Sequence, residues 1–485
     1  MTDEGRETNR ACLTTGATAR IGLIVSLLVL GVPVYGQVKV AGRDQGFVPY
    51  SEEPIRYLND RVDDPVARLQ ERIDRGQASL RHDDRHGYLE SVLKLLDVPA
   101  SSQTLVFSKT SFQYRKIAPA SPRALYFNDN VYVGWVRDGH SLEIASFDAN
   151  QGAIFYLLDQ ARSDQPAFVR AALDCTQCHV AAGTRGVPGV LVRSIFARPS
   201  GSQATGSESF ITGHESPLRE RFGGWYVTGT HGGREHMGNA FVRDPSKPEE
   251  LDRRAGANVV DLSGRFDATP YLSGHSDIVA HLVLAHQTQM HNLITLTNFQ
   301  TRLALHAHAR SGARPDAPLS SSLREQFEKP AEELVRYLLF ADEVTLDAPV
   351  TGTTTFAREF ASRGPRDAKG RSLREFDLDR RLFRYPCSYL IYSDAFDALP
   401  SLARDHVYRR LLDVLTGGPQ AGRGFDRLSA ADRRAILEIL AATKSNLPEA
   451  WKQAASETAA SPGPNRSGGP SQTAARSSPY PCPCP

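Results

Sequence analysis

The run Cys175-Thr176-Gln177-Cys178-His179 constrains this chain more than any other feature of its sequence. Two thiols separated by two residues and followed directly by a histidine form the attachment sequence for c-type haem. Each thiol can form a thioether to one edge of a porphyrin, and the histidine then lies beneath the iron. We therefore predict one covalent haem c, attached through Cys175 and Cys178, with His179 as the proximal iron ligand.

The remaining cysteines do not favour a zinc site or a redox CxxC pair. A structural zinc site needs a second pair of ligands. Cys387 stands alone, and Cys482 and Cys484 lie in a tail that we predict to be disordered. A redox CxxC pair belongs in a thioredoxin-like βαβ context, which this sequence does not suggest. Cys387 heads an apolar run, and we predict that it is a buried free thiol.

The N-terminus carries an export signal. Residues 21–34 are almost entirely apolar, follow Arg20 and precede Tyr35-Gly36-Gln37. This layout predicts a signal peptide over residues 1–36, cleaved after Gly36. The uncharged stretch over residues 21–38 is close to the roughly 20 residues of a spanning helix, so an uncleaved membrane anchor is the alternative. Both place the body of the protein in the periplasm or another exported location.

The sequence predicts an α+β fold in four segments after the signal. Residues 37–100 form a helical N-terminal segment, and residues 101–272 form a strand-rich unit that binds the haem. Residues 273–452 form a helical unit, and residues 453–485 form a disordered tail rich in Pro, Ser and Gly. Such a tail lacks the apolar side chains needed to offset the entropy of ordering it.

Short runs of β-branched and aromatic residues predict an antiparallel meander immediately before the haem motif, because turn signals such as Asn128-Asp129-Asn130 and Asp138-Gly139 separate them. The predicted strands cover residues 105–107, 124–127, 131–136, 142–147 and 153–158. Apolar periodicity predicts helices over residues 66–73, 88–96, 166–173, 278–305, 330–340, 388–399, 405–415 and 430–440. Pro330 fits the first turn of its helix, and Ser429 is a suitable N-cap.

The proximal histidine needs a second-shell partner, since a hydrogen bond from its other ring nitrogen fixes the tautomer. In class I cytochromes c a proline carbonyl shortly after the motif accepts this bond, and Pro188 resembles that proline.

The distal ligand decides the chemistry, because a strong sixth ligand suits electron transfer whereas an open position admits a small molecule. Met237 lies in a glycine-rich loop, and His236 is adjacent to it. His286 projects from the apolar face of a predicted helix. We treat these three as alternative distal ligands. An open site would instead use the loop from His231 to Met237 as acid, base and cation.

Four runs give the chain a family resemblance: Pro122 to Asp129, the haem motif, Gly223 to Gly229, and Tyr389 to Ser393. Together they resemble a group of large exported bacterial proteins described only as containing a cytochrome c domain. The likeness extends over residues 108–451 and implies haem binding and electron transfer. The long strand-rich region before the motif departs from class I cytochromes, so a compact class I fold is not expected.

Charge bears on the partners. The net charge of +2, from 57 basic and 55 acidic residues, does not indicate a nucleic-acid surface. We predict a mono-haem cytochrome that passes single electrons to a periplasmic or membrane redox protein. The alternatives are a haem enzyme, such as a peroxidase or a small-molecule oxidase, and a haem-based sensor.

Overall fold

The computed structural model describes residues 38–39, 48–314, 317–419, 421–422 and 424–460. These residues form helices and mainly antiparallel sheet, so the predicted α+β class is confirmed. The predicted signal peptide over residues 1–36 lies outside the described residues, as do residues 461–485 of the tail. Of the alternative anchor over residues 21–38, only Val38 is described. None of the helices in the described part of the chain combines the length and the hydrophobicity of a membrane span.

Ten strands lie in the described part of the chain: β1 Val38–Lys39, β2 Thr104–Val106, β3 Arg123–Phe127, β4 Val131–Trp135, β5 Ser141–Asp148, β6 Gly152–Asp159, β7 Phe168–Arg170, β8 Arg193–Ile195, β9 Ser209–Ile211 and β10 Trp225–Tyr226.

The same described residues contain ten α-helices: α1 Pro65–Asp74, α2 Leu89–Leu95, α3 Ala172–His179, α4 Ile278–Arg310, α5 Ser321–Leu338, α6 Phe356–Ser362, α7 Asp394–Asp397, α8 Ser401–Thr416, α9 Ala430–Thr443 and α10 Glu449–Ala460. Short 3₁₀ turns cover Ala100–Ser102, Tyr114–Lys116, Ala182–Thr184, Leu218–Glu220, Pro248–Glu250 and Tyr389–Tyr392.

The main sheet has seven strands in the order β10-β2-β3-β4-β5-β6-β7, and every neighbouring pair is antiparallel. Strands β2 to β6 match the predicted meander. A smaller sheet has the order β1-β9-β8.

The two faces of the main sheet are covered by different helices. One face packs against α1 and α2 in one hydrophobic cluster, and the other packs against α4 in a second cluster. Because side chains alternate along a strand, β2 to β6 and β10 each contribute to both clusters. The carboxylate of Asp277 caps α4 by accepting from the backbone N–H groups of Val279 and Ala280.

Helix α4 is buried on all sides from Ile278 to Phe299. The prediction that this helix has one apolar face, with His286 projecting from it, is therefore wrong. His281, His286 and His291 are all buried. A helix that lies at the centre of a large core has no solvent face, and periodicity alone could not reveal this.

Other boundaries also differ from the prediction. Residues 168–170 form β7 rather than helix, because they pair with the free edge of β6. Helix α5 begins nine residues before Pro330, capped by Ser320, and its buried face continues on both sides of the proline. Residues 388–399 form a 3₁₀ turn and the short α7. The predicted disordered tail over residues 453–485 is wrong for residues 453–460, which lie in α10.

Helices α1, α2, α8 and α9 agree with the prediction, and Ser429 caps α9. Cys387 is free and fully buried, as predicted.

Candidate functional site

The motif residues lie on the last turns of α3. Cys175, Cys178 and His179 are spaced i, i+3 and i+4 along this helix, which places their side chains on one face. Cys175 is half-buried, whereas Cys178 and His179 are exposed, and both thiols are free. The helix therefore presents two thiols and one imidazole together on an accessible surface.

Nδ1 and one face of the His179 imidazole contact other residues, whereas Nε2 has no hydrogen-bond partner in the described part of the chain. Its Nδ1 lies 2.8 Å from the carbonyl oxygen of Gly189, and the backbone N–H of Gly189 donates back to the carbonyl of His179 at 3.0 Å. The ring of Phe155 packs against the imidazole, with 4.7 Å between ring centroids.

Surrounding protein atoms desolvate the His179 ring, although part of it remains accessible, and this desolvation lowers its pKa. The bond to Gly189 opposes the effect without reversing it. The ring is therefore neutral near pH 7. Because a carbonyl oxygen only accepts, the single ring proton resides on Nδ1, and Nε2 keeps its lone pair.

The acceptor for Nδ1 was predicted one residue too early. The carbonyl of Pro188 instead accepts from the backbone N–H of Ala153 at 3.1 Å. This bond ties the loop to β6, and the next carbonyl, that of Gly189, turns towards His179. The physical role that was expected of a proline is filled by its neighbour.

Asn292 on α4 fixes the loop that carries Gly189. Its Oδ1 accepts from the backbone N–H of Val190 at 3.2 Å, and its Nδ2 donates to the carbonyl of Val190 at 2.8 Å. A Cβ atom at Gly189 would lie 2.1 Å from Asn292 Oδ1, closer than real contacts allow. A glycine is therefore required beside this fully buried asparagine.

Near α3, the face of the main sheet that packs against α4 is left partly uncovered, and we call this patch the cradle. It consists of Leu125, Gly134, Glu143, Leu157 and Val169. These residues pair in one row across β3, β4, β5, β6 and β7, so their side chains project from the same face. Leu125 and Leu157 are half-buried, and Val169 is exposed.

Apolar side chains are unusually exposed around the cradle. Of the six large hydrophobic residues that are exposed in the described part of the chain, Val169 belongs to the cradle and Leu173 to α3. Phe112 and Tyr114 flank Gln113 in the loop between β2 and β3, and Gln113 Nε2 donates to Glu143. Exposed apolar groups on neighbouring elements are typical of a surface that binds a partner or ligand.

One carboxylate lies among these apolar groups. Glu143 Oε2 is 3.2 Å from Arg123 Nη1, and Glu143 Oε1 accepts from Ser111 Oγ at 2.6 Å and from Gln113 Nε2 at 3.0 Å. Burial alone would raise the pKa of Glu143. The charge of Arg123 and the hydrogen bonds outweigh burial and lower the pKa, so the carboxylate is ionised at neutral pH.

Glu143 also acts on the motif. Burial raises the pKa of the Cys175 thiol to about 11, and the negative charges of Glu143 and Asp174 add to the effect. The positive charge of Arg123 lowers the pKa of His179, and the negative charge of Glu143 raises it. The cradle and the motif therefore form one electrostatic site.

The structure places the loop with Met237 and His236 at the opposite edge of the main sheet. Asn239 ties this loop to Trp225 of β10, whereas Phe155 beside His179 belongs to β6. Five strand spacings separate β10 from β6, which is about 24 Å measured along the sheet.

The side chains of this loop are engaged locally. Met237 is fully buried in a small hydrophobic cluster and accepts from Ser194 Oγ at 3.7 Å. His236 Nδ1 accepts from the backbone N–H of Gly238, and the ring of His231 lies 4.8 Å away. These residues do not meet His179.

His286 is likewise occupied. Its Nε2 lies 2.8 Å from Ser388 Oγ, and its Nδ1 lies 2.9 Å from Nδ1 of His214. The rings of Tyr337 and Phe340 stack on both imidazoles. Because both ring nitrogens of His286 have partners, neither is free for iron in this arrangement. The identity of the distal ligand stays a prediction.

Asp83, His86 and Glu90 form a group whose ligand atoms lie within 4.8 Å of one another. Their atoms already serve the local fold. Asp83 accepts from the backbone N–H groups of Arg85 and His86, while His86 bonds to Glu90 and to the carbonyl of Pro270. We assign this group no chemistry.

Sequence reasoning missed Arg123, Glu143, Asn292 and His214. A weak signal existed for Glu143, since it is the only charged residue in the apolar run from Leu142 to Phe147. The other three residues become part of a site or network only through contacts between distant parts of the chain.

Comparisons with protein-family models, with curated proteins and with solved structures found no match to this chain.

Proposed function

We propose that this chain is an exported mono-haem c-type cytochrome that transfers single electrons. The observation that carries the proposal is the state of His179. Its proton is committed to the Gly189 carbonyl through Nδ1, and Nε2 presents a lone pair without a hydrogen-bond partner among the described residues. A histidine prepared in this way has the tautomer and the second-shell bond that iron ligation requires.

The residues around the motif fit a covalent haem. Cys175 and Cys178 are free thiols on the same helical face as His179. The raised pKa of Cys175 keeps its thiol protonated, and each S–H can add across one vinyl double bond, with sulfur joining one carbon and hydrogen the other. The apolar groups of the cradle and its margins supply the surface that a macrocycle would cover.

Bound haem supplies a metal centre that gains and loses one electron. The chain's own residues hold that centre in place. Phe155 and the Gly189 carbonyl orient His179, and Asn292 fixes the Gly189 loop. The accessible position of Cys178 favours exchange of electrons with a partner protein at the surface, and we propose a periplasmic or membrane redox protein in that role.

An open iron is the second candidate, favoured by one observation. The structure engages Met237, His236 and His286 in other contacts, away from His179. A sixth position without a strong protein ligand would admit a peroxide or another small molecule. Under this alternative the protein is a haem enzyme or sensor. The loop from His231 to Met237, tied to β10, does not line its distal side in the arrangement described.

The first test asks whether haem is attached. The full chain is produced in cells competent for cytochrome maturation, and haem-linked peroxidase staining is measured after denaturing electrophoresis. We expect staining of the wild type and of Cys387→Ala, and its loss in the double variant Cys175→Ala/Cys178→Ala. Equal staining of both variants would contradict the proposal, because Cys387 is a buried thiol outside the motif.

The second test separates the two functions. Optical spectra of the ferric and ferrous protein are recorded with and without carbon monoxide. Electron transfer predicts a low-spin spectrum that carbon monoxide leaves unchanged, whereas an open site predicts a shift on adding it. If the iron is closed, Met237→Ala, His236→Ala and His286→Ala identify the ligand as the one whose loss opens the site.

A further inference from the structure

Glu143, the charged residue of the cradle, forms an ion pair with Arg123. Arg123 lies on β3 and Glu143 on β5, on either side of Gly134 on β4. A Cβ at position 134 would lie 2.5 Å from Arg123 Nη2. The glycine therefore leaves the space in which the guanidinium crosses β4 to reach the carboxylate.

Both charges are shielded from water. The Arg123 side chain is 18% exposed, and the Glu143 side chain is 14% exposed. Arg123 Nε is buried without a hydrogen-bond partner among the described residues. Charges held in such a position are screened by salt much less than charges on an open surface. Their influence on a neighbouring redox centre is correspondingly larger.

The pair is also held rigidly. Glu143 accepts hydrogen bonds from Ser111 and Gln113 in addition to its contact with Arg123. Gln113 is fixed in turn, since its Nε2 donates to the carbonyl of Ser141 and its Oε1 accepts from the backbone N–H of His140. A carboxylate with this many donors cannot easily turn away from the site.

We propose that the Arg123–Glu143 pair sets the reduction potential of the haem. The fixed negative charge of Glu143 stabilises the oxidised iron, which carries one more positive charge than the reduced iron, and so lowers the potential. Arg123 opposes this effect and limits its size. This inference rests on the proposed function, because it requires a haem bound through Cys175, Cys178 and His179.

The test is a spectroelectrochemical titration of the haem-loaded full chain. We expect Glu143→Gln to raise the midpoint potential and Arg123→Gln to lower it. The conservative variants Glu143→Asp and Arg123→Lys keep the charge and should stay close to the wild type. Asp405→Asn removes an exposed carboxylate from α8 and should leave the potential unchanged.

The outcomes distinguish this inference from the proposed function. A wild type without haem contradicts the proposed function itself. A loaded protein whose potential is the same in Glu143→Gln and Arg123→Gln as in the wild type overturns the inference alone. If both variants lose haem while remaining folded by circular dichroism, the pair serves haem retention, and the inference is also overturned.

Discussion

Replacing Asn292 by alanine should destabilise the protein by removing the anchor of the Gly189 loop. The side chain of Asn292 is fully buried on α4 and satisfies both the N–H and the carbonyl of Val190, which is itself buried. Alanine can satisfy neither group. The substitution therefore leaves two buried backbone polar groups without partners.

The size of the effect follows from those two groups. An unsatisfied buried donor or acceptor costs about 1–3 kcal/mol. Two such groups, at about 1.5 kcal/mol each, cost about 3 kcal/mol together. Asn298 on the same helix provides a matched control. It is also buried, but its one hydrogen bond, to the carbonyl of Ala398, is long at 3.4 Å, and its Oδ1 has no partner among the described residues.

Equilibrium urea unfolding, followed by circular dichroism, measures both variants. We expect Asn292→Ala to lower the free energy of unfolding by about 3 kcal/mol and Asn298→Ala to lower it by less than about 1 kcal/mol. Equal losses in the two variants, or a loss below about 1 kcal/mol in Asn292→Ala, would refute the argument that the loop depends on these two hydrogen bonds.

Two further predictions concern packing and burial. Gly189→Ala places a Cβ 2.1 Å from Asn292 Oδ1 and should lower the melting temperature, because overpacking costs about 1–3 kcal/mol. Gly233→Ala is the control, since a Cβ there would have no atom within 4 Å, and it should leave the melting temperature unchanged. Equal melting temperatures in the two variants would contradict this prediction. Burial raises the pKa of Glu343 from 4.5 to about 7 in the folded protein. The protonated side chain therefore stabilises the fold fully below about pH 4.5, and this contribution is lost as the pH rises through 7. The change in the free energy of unfolding is about 3 kcal/mol. Glu343→Gln should remove this part of the pH dependence in urea unfolding, and an unchanged profile would count against it.

Local patterns predicted the meander well. Strands β3 to β6 are joined by short turns, and each contains a run of β-branched and aromatic residues. Each strand pairs with the next one along the chain, so local sequence was enough to predict this part of the sheet. Strand β7 was missed because it is defined by its partner β6. Three residues with an exposed valine carry little strand signal of their own. Pairing with an existing edge is a tertiary effect that overrides local propensity.

The candidate site also contains residues that local sequence predicts and residues that it does not. Cys175, Cys178 and His179 could be singled out from the sequence alone because their spacing is the signal, and the structure places them together on one face of α3. Their surroundings could not be predicted in this way. Glu143 meets Arg123 across β4, and Asn292 reaches Val190 from a helix about 100 residues later. The distal candidates were chosen by residue type and spacing, and such reasoning could not reveal that His214 and Ser388 occupy both ring nitrogens of His286.

The central claim is a porphyrin joined to Cys175 and Cys178. Mass spectrometry of the proteolytic peptide containing residues 175–179, from full-length protein matured in competent cells, tests it most directly. The proposal predicts that this peptide carries the added mass of one haem and that neither thiol reacts with an alkylating reagent. A peptide of unmodified mass, alkylated at both cysteines, would contradict it.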